Sequence, residues 1–302
     1  MSLLKLSVDK SYYAPGEVVQ FTCSMHNRET VMGVQLIAKF AMSELYSIAS
    51  AVQGMANPDN LAEPPKVALH NSIPIHTETL WRSKHTGTGT IMHPRPRSFS
   101  AQFVVPIDAT PSVVLNGSSK SHIKYSVKVE LLVASTGQNL RSEIAIAVVR
   151  PMPLYNPPLV LPVIPKEFTN FLVEAGIILD RSVYAVGQDM QLQISVVNGD
   201  KRPIKGIRVS LEEVRNAHSV PELAGVSVLA TETIESMISC GQVTSVTVVL
   251  HPGTTTPFIA PSTFTGCVQV EHYIRIQVIP NSLFSMGLVL SVPVEIVGVQ
   301  RI

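Results

Sequence analysis

Residues 6–27, LSVDKSYYAPGEVVQFTCSMHN, align without a gap on residues 177–198, IILDRSVYAVGQDMQLQISVVN, at an offset of 171. The shared positions are Asp9/Asp180, Ser11/Ser182, Tyr13/Tyr184, Ala14/Ala185, Gly16/Gly187, Gln20/Gln191, Ser24/Ser195 and Asn27/Asn198. Average residue frequencies would give about 1 or 2 such matches. In both copies an apolar run meets Asp and a basic residue, followed by Tyr-x-x-Gly, where Gly can supply the positive φ of a turn. A strictly alternating segment comes next. Val19, Phe21, Cys23 and Met25 lie on one face in the first copy, and Met190, Leu192, Ile194 and Val196 in the second. Period-two alternation marks a strand with one face on a core and the other in water. Both copies then turn at Asn and resume, through Val34, Leu36, Ala38 and Phe40 or through Ile207, Val209 and Leu211.

The halves also close alike. Ile123, Tyr125, Val127, Val129 and Leu131 alternate with polar residues, as do Val268, Val270, Ile274, Ile276 and Val278. Final strands are expected at residues 144–149 and 288–297. Helical patterning is nearly absent, with Met42 to Val52 the one stretch expected to be a short helix or loop. The fold class is therefore all-β, with two tandem antiparallel β-sandwich domains, since packing two sheets per half buries these faces. Between the halves, RPMPLYNPPLVLPVIPKEF carries six prolines, which cannot sit in the middle of a sheet. The expected division is residues 1–150, a Pro-rich linker over 151–172, and residues 173–302. Leu154, Tyr155, Leu159, Val160 and Leu161 suggest a linker that lies against the domains.

The 302 residues suit two domains of about 150. Hydrophobic residues make up 45% and charged residues 15%, which argues against long disorder. No apolar stretch approaches the roughly 20 residues that span a bilayer. A net charge of +1 argues against a nucleic-acid binder. Residues 1–150 carry 14 Lys or Arg against 10 Asp or Glu, and residues 151–302 carry 9 against 12, so the first half is mildly cationic. The opening MSLLKLSVDK lacks the apolar core of a signal peptide, so a cytosolic location is expected. Cys23, Cys240 and Cys267 have no metal-type spacing and are expected to be buried free thiols.

The string Leu179 to Val214, LDRSVYAVGQDMQLQISVVNGDKRPIKGIRVSLEEV, resembles the opening of the arrestin C-domain in the alpha-arrestins, the arrestin-domain-containing family. VQVEHYIRIQV and SVPVEIVG resemble that domain's last strands, while SYYAPGEVVQF, FVVPIDATPS and HIKYSVKVELLV resemble the arrestin N-domain. Leu154 to Asn156 sits where the family's linker has a short Leu-Asn element. The resemblance implies a pair of sandwiches, distantly like the arrestin-fold subunit of retromer, that dock on membrane-protein cargo tails or on subunits of trafficking complexes. The last strand reaches close to Ile302, and no Pro-Pro-x-Tyr motif occurs. The nearest string, Pro151 to Tyr155, lacks adjacent prolines, so ligase recruitment through such a motif is not expected. The buried salt-bridge network of receptor-binding arrestins has no identifiable counterpart, so phosphorylation-triggered activation is not expected either.

Nine dispersed histidines show no metal-ligand spacing, and there is no Gly-x-Ser-x-Gly elbow, P-loop or dinucleotide fingerprint. No catalytic residue, metal or cofactor is expected. A hydrolase or metal-dependent enzyme is the opposing class, and it rests only on abundant His and Ser, because a triad is recognised by geometry. His272 falls on an apolar phase and is expected to be a hydrogen-bonded core residue. RSKHTGTGTIMHPRPR, residues 82–97, places Arg82, Lys84, Arg95 and Arg97 without an acidic residue until Asp108. It reads as a loop bounded by strand. The plain reading is a solvated connection, and the functional one is contact with a phosphorylated tail, an acidic sorting motif or anionic lipid. The function expected is that of a non-enzymatic cytosolic adaptor in endocytic or endosomal sorting, peripheral on membranes, with a fixed subunit of a trafficking complex as the alternative.

Overall fold

Alternation over residues 18–26 becomes β3 (Val18–His26), which buries Val19, Phe21, Cys23 and Met25 and leaves Val18, Gln20 and His26 exposed. The computed structural model describes residues 3–26, 31–48, 66–84, 89–93, 95–115, 121–134, 139–165, 173–217, 224–252, 259–265, 267–281 and 287–298. It divides into two units, Met1–Arg150 and Pro151–Ile302. The described residues form strands, turns and connections, with no helix among them.

In the first unit β3 lies between β1 (Leu3–Val8) and β7 (Pro96–Val104) in a three-stranded antiparallel sheet. The other sheet has seven strands. Its main path runs through β2 (Tyr12–Tyr13), β10 (Leu140–Val148), β9 (His122–Val133), β4 (Val31–Ile48) and β5 (Lys66–Arg82). β6 (Thr90–Met92) pairs with β4, and β8 (Val113–Val114) pairs with β9. Both sheets contribute to an aromatic core. The Phe21 and Phe103 rings lie 4.9 Å apart, Phe40 and Phe103 6.0 Å, and Phe40 and Tyr125 5.9 Å, within the range of favourable ring packing.

The second unit repeats the plan. β11 (Leu159–Pro165), β12 (Val173–Leu179), β14 (Met190–Asn198) and β17 (Val243–Leu250) form a four-stranded sheet. The six-stranded sheet runs through β13 (Val183–Ala185), β20 (Val289–Val297), β19 (Val268–Pro280), β15 (Ile204–Ala217) and β16 (Gly225–Ile238), with β18 (Thr263–Phe264) on β19. Its core is aliphatic, with Leu192 and Ile194 from one sheet and Val209 and Leu211 from the other. The duplication reaches the hydrogen bonds. β2 pairs in parallel with β10, and β13 pairs in parallel with β20. The Ser112 and Ser262 hydroxyls accept from the Val148 and Ile296 amides, each at 2.9 Å. The chain is thus all-β, with two sheets in each unit, and the short parallel pairs are the exception to antiparallel order.

Four expectations change. Residues 42–48 are strand and not helix, because the ladder of β4 with β5 and β9 continues through Leu45; residues 49–52 lie outside the described residues. The stretch expected as linker becomes a strand at Leu159, since an edge position and a register break between Leu161 and Ile164 accommodate Pro162 and Pro165. Leu154 and Tyr155 are exposed and cover no core. Only Cys23 is buried; Cys240 sits exposed in the turn before β17, and Cys267 is half-buried. Burial pushes the Cys23 thiol up to about 11.

Candidate functional site

The residues shared by the repeat build one corner per unit. The Tyr13 hydroxyl donates to Asp9 Oδ1 at 2.7 Å and accepts from the Lys10 amide at 3.0 Å. Asp9 Oδ1 also accepts from the Gln20 amide at 2.9 Å. The Tyr13 bond, with the Gln20 amide adding to it, holds the Asp9 carboxyl below its ordinary range against burial, which pushes it up. In the second unit Tyr184 donates to Asp180 at the same 2.7 Å. Gly16 and Gly187 follow at φ 84° and 75°, left-handed values that glycine adopts without Cβ strain. Both tyrosines are fully buried, so these corners fasten strands. Asn27 lies outside the described residues. Its counterpart Asn198 is buried and donates to the Arg202 and Ile238 carbonyls at 3.0 and 2.9 Å, which ties the turn entering β15 to the end of β16, where Ile204 lies opposite Ile238.

Asn156 is anchored in the second unit. Its amide donates to the Val183 carbonyl at 2.6 Å, and its Oδ1 accepts from the Ser182 and Val183 amides at 3.1 and 3.2 Å. One side chain thereby stands in for a strand beside β13.

Among its described residues the cation-rich stretch holds strand as well as connection, with Arg82 ending β5, Thr90–Met92 forming β6 and Pro96 opening β7. β4 is flanked on one side by β5, ending at Arg82 opposite Gln35, and then by β6, with Thr90 opposite Gly33. β6 therefore continues the line of β5 after an excursion. Ser83 and Thr90 close that excursion through a 2.7 Å bond between their hydroxyls. Gly89, at φ 76°, approaches Gly33 so closely that a Cβ would stand 2.8 Å from its carbonyl oxygen. Arg82, Lys84 and Arg95 are exposed, whereas Arg97 is half-buried on β7 opposite the buried Met25. The Arg97 Nε is buried, with no hydrogen-bond partner among the described residues. None of the four forms an ion pair among the described residues. Residues 85–88, with His85, and Pro94 lie outside them. The structure thus presents three of these cations to solvent along the β5–β6 margin and the entry to β7, and turns the fourth inward.

A polar cluster that sequence reasoning found only in part lies inside the second unit. Glu213 and His272 face each other across the β15–β19 ladder. Glu213 Oε1 accepts from Arg215 Nε at 2.6 Å, and Oε2 accepts from the Ala260 amide at 3.2 Å. His272 Nε2 stands 3.6 Å from Oε2, beyond hydrogen-bond length, so that contact is electrostatic. His272 Nδ1 lies 3.0 Å from Ser262 Oγ. Burial pushes the Glu213 carboxyl up, but His272 and Arg215 together outweigh it and hold the group below its ordinary range. A Ser, a His and a Glu are thus brought together, yet the imidazole is fully buried and Ser262 Oγ already accepts from Ile296. Ser112 makes the same backbone bond in the first unit, where Tyr125 replaces His272 and donates to the Thr110 carbonyl at 2.8 Å. The arrangement is a strand lock common to both units. His272 was marked by its apolar phase; Glu213 carried the same signal, a polar residue two positions after Leu211 on the inward phase.

Among the described residues there is no group of three or more His, Cys, Asp or Glu placed to hold a metal ion, and no helix long and apolar enough to cross a membrane. Residues 172–301 match the family model described as arrestin (or S-antigen), C-terminal domain. The second unit is therefore similar to an arrestin C-terminal domain, in agreement with its two-sheet architecture. No curated protein matches the chain.

Proposed function

We propose that this chain is a non-enzymatic, cytosolic adaptor or scaffold that binds other proteins in endocytic or endosomal sorting of membrane proteins. The observation that supports this reading is the match of residues 172–301 to the arrestin C-terminal domain, carried by a fold that occurs twice in the chain. The step from fold to trafficking is an analogy, because folds host many functions. Arg82, Lys84 and Arg95, with Arg97 behind them, are the candidate contacts for an acidic or phosphorylated cargo tail or for anionic lipid. Proximity labelling in cells tests the reading. Recovery of membrane cargo, coat or endosomal components is expected; recovery of metabolic enzymes alone would overturn it.

A second reading is a fixed subunit of a multi-protein trafficking complex, in the manner of retromer's arrestin-fold member. The favouring observation is the outer face of β3 and β14, where Gln20, Thr22 and Ser24 correspond to Gln191, Gln193 and Ser195 without charge. Depletion of charge is a mark of permanently covered surface. Gel filtration of native lysate separates the two, since an obligate subunit elutes almost wholly in one large assembly.

A further inference from the structure

Sheet edges expose rows of N–H and C=O groups that pair with other chains unless they are guarded by charge, proline or irregularity. The long edge strands among the described residues carry such guards, with one exception. β11 has Pro162, Pro165 and a register break. β5 has Pro74 and three breaks, β7 opens with Pro96 and Arg97, and β1 exposes Lys5. β16 has two breaks and Glu232, which pairs with the buried Val209 and so stands on the core-facing side. An inward-pointing charge is itself a guard. β17, VTSVTVVL, has no proline, glycine or charge, and pairs with β14 over eight consecutive residues without a break. No strand flanks its other side among the described residues.

The core is also incompletely covered at this edge. Val246 on β17 and Ile234 on β16 pack against it but are only partly buried, whereas their ladder partners Ile194 and Ile207 are fully buried. Glu232 stands on the same side of β16 as Ile234, is exposed, and has no ion pair among the described residues. The margin thus offers an open backbone row, two partly covered apolar side chains and an unpaired carboxylate.

We propose that β17 is a strand-addition site for an extended segment of another protein. Alternate apolar residues of that segment cover Val246 and Ile234, and a Lys or Arg among them answers Glu232. Main-chain bonds supply the affinity in this mode and the alternating side chains supply the selectivity. A second copy of β17 would bring no base to Glu232. The proposal shares with the adaptor reading only that the chain binds proteins, and it uses a different surface from the cations of the first unit.

The test uses the full chain and two blocked peptides, acetyl-Thr-Val-Thr-Lys-Thr-Val-Thr-amide, in which Lys shares a face with both valines, and the same peptide with Glu for Lys. Hydrogen exchange reads the amides of residues 243–250, and fluorescence anisotropy reads affinity. The Lys peptide is expected to protect those amides and to bind about 10-fold more tightly than the Glu peptide, as a charge contact at an interface does. Glu232→Lys, at an exposed position, is expected to invert that preference, and Thr244→Lys, which introduces an inward charge, to abolish both binding and protection. Unfolding curves confirm that both variants fold. Failure of the Lys peptide to protect β17 would overturn the proposal, as would an unchanged preference in Glu232→Lys. Protection that grows with protein concentration without peptide, and vanishes in Thr244→Lys, would assign the edge to a second copy and overturn it too. Neutralising the four cations is expected to leave the peptide results unchanged, so the two surfaces stand or fall separately.

Discussion

Tyr184 donates its hydroxyl hydrogen to Asp180 across 2.7 Å, and Tyr13 does the same to Asp9 in the other unit at the same distance. Tyr184→Phe leaves the ring and removes the bond, at an expected cost of about 1 to 2 kcal/mol to the second unit. Tyr13→Phe is expected to destabilise the first unit in the same direction. Burial, helped by Asp9, pushes the Tyr13 hydroxyl up to about 12. Its contribution is therefore present below the ordinary tyrosine range near 10 and is lost as pH rises towards 12. Denaturant unfolding of wild type and Tyr13→Phe between pH 7 and pH 12 checks this, with the difference between the two expected to shrink only at the alkaline end.

The glycines of the same corners give a second expectation. A Cβ at residue 187 would meet nothing within 4 Å, and one at residue 16 would touch only Ile107 at 3.9 Å, so Ala carries the cost of a left-handed backbone and little else. Gly16→Ala and Gly187→Ala should each destabilise their own unit by about 1 kcal/mol or more. Thermal unfolding checks this, and indifference to both changes would contradict the turn geometry.

Core truncation tests the alternation directly. Phe21 stacks near Phe103, and Leu192 is one of the buried aliphatic residues of the second core. Phe21→Ala and Leu192→Ala are each expected to cost about 2 to 5 kcal/mol. An effect below about 0.5 kcal/mol would mark a surface position.

Glu213 is held below its ordinary carboxyl range in the folded state. A depressed carboxylate contributes stability above its unfolded pKa and loses it as pH falls through the folded value. That loss lies below the ordinary carboxyl range. Glu213→Gln is expected to flatten the acid side of the second unit's stability profile. Glu213→Ala should destabilise at neutral pH by about 3 to 5 kcal/mol, because Arg215 then loses its partly buried counter-ion. Urea unfolding from pH 7 to pH 3 checks both.

Replacing Arg82, Lys84, Arg95 and Arg97 together with Gln is expected to slow association with acidic peptides or acidic liposomes by about 10-fold at low salt, with the difference fading as salt rises. Arg82, Lys84 and Arg95 should carry the effect, because Arg97 is turned towards the core. Unchanged rates and unchanged salt dependence would leave a solvated surface without a binding role.

Much of this architecture is written in local pattern. Alternation at Val19 to Met25 and at Met190 to Val196 fixes which face each strand buries, because a strand's side-chain period is two and one face must leave water. The shared Asp, Tyr and Gly fix the corners, because each bond there spans only a few residues of chain. Pairing partners and edges have no such local signature. Whether Leu159–Pro165 is a linker or an edge strand depends on β12 lying beside it, and whether Arg97 meets water depends on β7 pairing with β3. The Glu213, His272 and Ser262 cluster joins residues far apart in the chain, and β17 is an edge among the described residues because the sheet ends there. Sequence by itself determined the alternating strands that open and close each half, their inward faces and the duplication, since these follow from nearest neighbours along the chain. Tertiary structure alone decided which polar groups meet and which edge stays unpaired, because those are set by distances across sheets that no spacing in sequence encodes.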